Sequence, residues 1–266
     1  MSQHSEKSTG SAGEPILEVD GLVVKYGAYI AIDNFECTLR GGRIQGLIGP
    51  NGAGKSSTFA GITASVPRSA SIRLRGQDVA GWAPQRLARE GVRRTFQQNS
   101  FFIELTVLEN AMSVMSGAAG VSMATSILAP WKERSGRRRC EQMARDLLER
   151  FGIGPRYHRM YPDKLPYGLQ RVLSIALAYG SGLDVLLLDE PAAGVGGKDM
   201  DLLAQLLLDL RAEGLAIMLI EHHMDLLMAV SDHVTVIDRG TMIASDVPQA
   251  VQSDPRVLEA YLGDVA

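Results

Sequence analysis

The chain has 266 residues, 45% of them hydrophobic and 21% charged, with a formal net charge of -3. That length and balance allow one large globular domain or two modest ones, and exclude a disordered or fibrous chain. The slight acidity argues against a nucleic-acid partner, since phosphate contacts require a basic surface.

Only Cys37 and Cys140 are present, far apart and in no C-x-x-C arrangement, so neither a disulfide framework nor a thiolate zinc site is expected. Residues 1–14 (MSQHSEKSTGSAGE) lack the apolar centre of a signal peptide and read as a flexible polar lead-in to a cytosolic chain. Ile16 to Lys25 is rich in β-branched residues and predicts a strand, with a turn at Tyr26 and Gly27. Tyr26 offers an aromatic face on which a nucleotide base could stack, although a tyrosine before glycine also commonly just ends a strand.

Arg43 to Ile48 predicts a strand that feeds directly into Gly49, Pro50, Asn51, Gly52, Ala53, Gly54, Lys55 and Ser56. This is the spacing G-x-x-x-x-G-K-[ST], followed by a predicted helix over Ser57 to Ser65. Glycines let the backbone bend so that successive N–H groups point at phosphate oxygens, and the helix N-terminus adds partial positive charge. Lys55 places a full charge against the β- and γ-phosphates, and Ser56 offers a hydroxyl to Mg²⁺.

Further along, Ser71 to Arg75 alternates as a strand, Gly76 turns, and Pro84 to Glu90 is a short helix opened by proline. Within Val92 to Gln98, Gln97 carries a neutral amide able to coordinate Mg²⁺ and orient water. The plainer alternative for it is a polar loop. From Thr106 to about residue 180 the pattern is helical, with Met143, Leu147, Leu148 and Phe151 on one face. Lys132, Arg134 and Arg137 to Arg139 form a basic cluster that could touch anionic headgroups but reads better as a solvated linker. Ala111 to Pro130 is uncharged and long enough to span a membrane, but its glycines and hydroxyl residues favour a packed helical region and loop.

Asp184 to Asp189 is an apolar run ending in a carboxylate, as expected of a buried parallel strand whose end reaches a ligand. Asp189 is placed to hold Mg²⁺ and Glu190 to accept a proton from attacking water. Lys198 to Ala212 predicts an amphipathic helix, and Leu215 to Ile220 another buried strand. Glu221, His222 and His223 follow, and their adjacent side chains diverge too much for a metal site. One histidine there could instead sense the γ-phosphate. Val234 to Asp238 and Met242 to Ala244 form a hairpin, and Pro255 to Gly263 a closing helix.

Together GPNGAGKS, the glutamine of TFQ, LPYG at residues 165–168, LLLDEP and the histidine of LIEH resemble the ATP-binding-cassette ATPases, in that family's order. DEPAAG at residues 189–194, LIEHHMDLLM, the signature tyrosine and the tail DPRVLEAYLG are most similar to ATPase subunits of branched-chain amino acid importers. The resemblance implies an α/β fold over residues 15–263: a P-loop NTPase core with an N-terminal antiparallel β piece and an inserted helical subdomain at about residues 97–180. It implies adenine stacking on Tyr26, phosphates and Mg²⁺ held by Gly49 to Ser57, and Mg²⁺ contacts from Ser56, Gln97 and Asp189. Lys55 and Gln97 join the catalytic set, with Glu190 as the base and His222 as the γ-phosphate switch. Leu165 to Leu169, with Pro166, Tyr167 and Gly168, would reach the ATP of a partner cassette.

The partners implied are integral membrane permease subunits docking near Gln97, a second ATPase subunit, and a solute-binding protein acting through the complex. The location implied is peripheral, on the cytoplasmic face of the membrane. The signature departs from LSGGQ at Pro166, which lacks both a hydroxyl and a backbone N–H, at Tyr167 and at Leu169. The segment AAGVGG also lacks the acid or amide expected near Gly196. These departures affect groups lent to a partner and leave the chain's own hydrolytic set complete. An exporter or lipid-extracting ATPase of the same fold is one alternative, and a soluble ATP-dependent switch is another. A small-molecule kinase would need an acceptor site and lid arginines, and would have no place for the signature segment.

Overall fold

The computed structural model describes residues 13–95, 101–116, 130–180 and 182–262. The polar lead-in up to residue 12 and Gln97 lie outside the described residues. Two compact units divide the chain. The first comprises residues 1–94, 182–193 and 200–266, and the second residues 95–181 and 194–199.

The first unit carries two sheets. In one, β1 (Pro15–Tyr26) pairs antiparallel with β2 (Tyr29–Arg40) and with β4 (Arg68–Leu74), which also pairs with the short β5 (Gln77–Asp78). The sequence pattern assigns no element to Tyr29–Arg40. Its apolar residues alternate imperfectly, and the register shifts along β1 that accommodate it are set by pairing rather than by period. The strand expected at Ser71 to Arg75 begins earlier, at Arg68.

The second sheet runs β10 (Thr241–Asp246), β9 (His233–Asp238), β3 (Arg43–Ile48), β8 (Ala216–Ile220), β7 (Val185–Asp189) and β6 (Val92–Arg94). All its neighbours are parallel except β10 and β9. Every residue of β7 and β8 is buried, which is why both strands read as unbroken apolar runs. A single core joins the two sheets through Leu22, Ile32, Phe35, Phe59, Leu187 and Met218. Helix α1 (Lys55–Ile62) contributes Phe59 and Ile62 to it and stops short of the expected Ser65. Thr63 returns its hydroxyl to the Phe59 carbonyl at 2.8 Å, and Ala64 turns the chain at φ 55°.

Register decides where chemistry can collect. Leu47 of β3 and Asp189 of β7 both pair with Ile220 of β8, so the C-terminal ends of three adjacent parallel strands finish level. Gly49, Glu190 and Glu221 therefore leave the sheet side by side, at the edge where open α/β sheets bind ligands. Residues 49, 190 and 221 are brought together by pairing alone.

The second unit is helical. It contains α3 (Val107–Met115), α4 (Pro130–Arg150) and α5 (Tyr167–Tyr179), with α2 (Pro84–Arg89) belonging to the first unit. Helix α3 opens with a capping box in which Thr106 and Glu109 satisfy each other's backbone N–H groups. The helical pattern is not continuous to residue 180 as expected, because Pro155 and Pro162 each open a short 3₁₀ turn. On α4, Leu147 and Leu148 are buried, as is Phe151 just past its end; the Phe151 ring meets Tyr179 edge-on at 5.4 Å. The basic cluster is part of α4 rather than of a linker, and Arg137, Arg138 and Arg139 are exposed on it. Of the uncharged stretch 111–130, residues 111–115 belong to α3 and 117–129 lie outside the described residues. Among the described residues, no helix is long and apolar enough to cross a membrane.

Candidate functional site

The loop from Gly49 to Gly54 joins β3 to α1 under tight steric constraint. A Cβ on Gly49 would lie 2.0 Å from the Ile237 carbonyl oxygen. One on Gly54 would lie 2.5 Å from the Ala31 carbonyl, and Gly54 sits at φ 106° as the left-handed N-cap of α1. No side chain caps α1, so its first N–H groups keep the polarity an anion needs. Gly54→Ala is expected to destabilise the fold by about 1–3 kcal/mol through backbone strain and overpacking. A lower urea midpoint at unchanged m-value, whose shift multiplied by m gives that loss, is the outcome to measure.

Lys55 is buried, and its ammonium donates to the carbonyls of Gly49 (2.7 Å) and Pro50 (3.0 Å). Two of its three donors thus brace the loop, leaving the third for a phosphate oxygen. Burial holds the Lys55 pKa below its usual value, against the opposing pull of Glu190 and Asp189. Ser56 and Asn51 are exposed, Ser57 half-buried and Ala53 buried. Tyr26, at the end of β1, is 48% exposed and pairs with Tyr29 across the turn.

Asp189 ends β7 with only 1% of its side chain exposed, and the Arg94 guanidinium, on β6, reaches its Oδ2 at 2.5 Å. Arg94 also lies over the Phe59 ring, 5.4 Å from its centroid. The sequence reading did not single out Arg94. Nothing in its own segment marks it, because its partner is 95 residues away and reached through the β6–β7 pairing.

Glu190 follows at φ 51°, left-handed for a residue with a side chain. Such backbone costs about 1–3 kcal/mol and needs surrounding contacts to persist. Its N–H donates to the Ile220 carbonyl, and its own carbonyl accepts from Ala193. The Glu190 carboxylate meets His222 Nε2 at 3.0 Å. Glu190 is 17% exposed and His222 49%, so this acid–histidine pair opens to solvent at the strand ends. Glu221 lies beneath, 2% exposed, with its carboxylate accepting backbone N–H groups from both loops.

In the second unit, Pro166 is the N-cap residue of α5 and Leu165 is buried beneath it. Tyr167 is 44% exposed, its hydroxyl accepting from Arg171 at 2.5 Å. A Cβ on Gly194 would come within 2.8 Å of the Tyr167 ring, and one on Gly168 within 2.6 Å of the Asp199 carboxylate. The Tyr167 ring is thus accommodated by the glycine opposite it.

Lys55, Ser56, Asp189, Glu190 and His222 therefore belong to one unit and rise from neighbouring strand ends. Pro166, Tyr167 and Gly168 belong to the other. The carboxylate of Asp189 and the hydroxyl of Ser56 are hard oxygen donors of the kind Mg²⁺ takes.

Residues 32–193 match the family described as ABC transporter, and residues 241–266 the family described as branched-chain amino acid ATP-binding cassette transporter. The high-affinity branched-chain amino acid transport ATP-binding protein LivG of Salmonella typhimurium is 36% identical over 253 residues, covering 94% of this chain and 99% of LivG. A nucleotide-free ATP-binding cassette from an ABC transporter superposes with a TM-score of 0.80 at 27% identity, covering 93% of this chain and 99% of that one. The ADP conformation of an ABC transporter cassette superposes at 0.79 and 27%, covering 94% and 99%. A phosphate loop, a buried acid at the end of β7, an acid–histidine pair and end-to-end agreement with these relatives leave one conclusion: the chain belongs to the nucleotide-binding ATPase subunits of ABC transporters.

Proposed function

We propose that this chain binds MgATP on its phosphate loop and hydrolyses it to drive uptake of branched-chain or related amino acids through separate membrane subunits. The observation that carries the catalytic part is the Glu190–His222 contact at the level strand ends, beside a buried lysine. The tail match over residues 241–266 supports the importer reading over the exporter alternative, since its family is named for branched-chain amino acids.

In this reading Tyr26 stacks on adenine. The α1 N-terminus and Lys55 hold the phosphates. Ser56, Asp189 and Gln97 would hold Mg²⁺, which when bound neutralises charge between the β- and γ-phosphates. Glu190 takes a proton from water as the water oxygen attacks the γ-phosphorus. The bond from that phosphorus to the bridging oxygen breaks, and ADP and phosphate leave. His222 holds the Glu190 carboxylate in place and contacts the γ-phosphate, so that loss of the phosphate is registered at this loop. Two such cassettes face each other, each lending Leu165 to Leu169 to the other's nucleotide. The exposed Phe102 and Ile103, following Gln97 in sequence, face a permease subunit. A solute-binding protein delivers the substrate outside.

Tyr26→Ala is expected to weaken ATP binding by about 1–3 kcal/mol and Tyr26→Phe to leave it unchanged, as titration of a fluorescent ATP analogue would show. The overall reading is tested by tagging the chain in its own cells, solubilising the membranes gently and identifying what co-purifies. Two integral membrane subunits, together giving ATP-driven leucine uptake in proteoliposomes, are expected. A chain recovered alone from the soluble fraction would overturn the transport reading.

A further inference from the structure

Glu221 has no part in the scheme above, yet it is a buried carboxylate at the centre of the site. It is the first residue past β8, 2% exposed. One of its oxygens accepts the Ala192 N–H at 2.6 Å; the other accepts the N–H groups of His222 at 2.9 Å and His223 at 3.1 Å. These donors sit on two different loops. Ala192 lies two residues past Glu190, and His222 adjoins Glu221 itself. Hydrogen bonds to a carboxylate are about twice as strong as neutral ones, and a buried one lost leaves its donors unsatisfied.

The contacts close a ring. From Glu221 the chain passes to His222, whose Nε2 meets Glu190. From Glu190 it runs through Pro191 to Ala192, whose N–H returns to Glu221. Pro191 has no N–H to help hold this turn, and Glu190 stands in left-handed backbone that must be held from outside. The Glu221 carboxylate fixes both ends of the acid–histidine contact at once.

We infer that Glu221 is a positioning residue for ATP hydrolysis, clamping the Glu190 loop to the His222 loop so that the two side chains meet in reactive register. The inference rests on the roles proposed for Glu190 and His222. Because Glu221 touches neither the phosphate loop nor Tyr26 among the described contacts, its loss should act on turnover more than on nucleotide binding.

The test uses the purified full chain. Glu221→Gln keeps the size of the side chain but turns an NH₂ toward one of the N–H donors. The expected result is a fall in kcat of about 10- to 100-fold, as small misplacements of catalytic groups produce, with KM and ATP affinity changed less than about threefold. In a His222→Ala background the same substitution should cost less than about threefold, because the geometry it protects is already gone. Glu221→Asp, shorter by one methylene, should fall between wild type and Glu221→Gln, and it carries the same readouts if the glutamine variant fails to fold. A kcat within twofold of wild type would overturn the inference. So would a full cost in the His222→Ala background, or a parallel loss of kcat, ATP affinity and melting temperature. Glu190→Gln measured alongside separates the two claims: if it retains turnover, the underlying catalytic reading fails, and if it loses turnover while Glu221→Gln does not, only the role of Glu221 fails.

Discussion

Replacing Glu190 with glutamine is expected to lower ATP turnover by about 10²–10⁴-fold while leaving nucleotide binding intact. Glutamine keeps the shape of the side chain and can still meet His222, but its amide cannot take a proton from water. Since Glu190 and His222 meet at 3.0 Å at the solvent-open end of the strands, the substitution perturbs chemistry without disturbing the core. Single-turnover hydrolysis of labelled ATP, beside equilibrium binding of the same nucleotide, is the measurement. A variant that binds and hydrolyses like wild type would remove Glu190 from the role of base. A variant that no longer binds would mean that its carboxylate supports the site rather than the reaction.

The second large effect is expected at Arg94. Its guanidinium lies against the buried Asp189 carboxylate, with 13% and 1% of the two side chains exposed. Removing one partner of a buried pair leaves a charge with poorer compensation and costs about 3–5 kcal/mol. Arg94→Met, which fills similar space over Phe59, is therefore expected to destabilise the free protein by about 3 kcal/mol. In a chain of this size that is a fall of roughly 6–12 °C in melting temperature. Added MgATP should narrow the gap, because the divalent cation proposed to bind beside Asp189 would supply the missing positive charge. Thermal melts with and without MgATP check both parts, and an unchanged melting temperature in the free protein would show that the ion pair contributes nothing net. Asp189→Asn, in contrast, should lose the response to MgATP, because a neutral amide no longer attracts the cation.

Much of the fold was legible before any coordinates. The loop from Gly49 to Ser56 declares itself because phosphate binding demands glycine, lysine and hydroxyl at fixed spacing, a purely local requirement. The strands Val185–Asp189 and Ala216–Ile220 show as apolar runs because every residue in them is buried. The helix Lys198–Ala212 shows through its period. Harder to see were Tyr29–Arg40, whose register is irregular, and the interruptions at Pro155 and Pro162, where local proline chemistry overrides a helical stripe. The basic cluster misled for a related reason: Arg137 to Arg139 are good helix formers, and charge alone does not distinguish a solvated helix face from a linker.

By itself the sequence determined the phosphate loop, the acidic end of β7, the histidine after β8 and the family, because each rests on residue types at short spacing. Tertiary structure alone decided which distant residues meet: Arg94 with Asp189 across the β6–β7 pairing, His222 with Glu190, and Ala192 with Glu221. It also decided that Glu190 must stand in left-handed backbone and that Gly49 must be glycine for the sake of Ile237. The physical reason is common to all of these. Hydrogen bonds and steric limits between residues tens to hundreds of positions apart are fixed by strand order and register, and neither leaves a trace in the composition of any one segment.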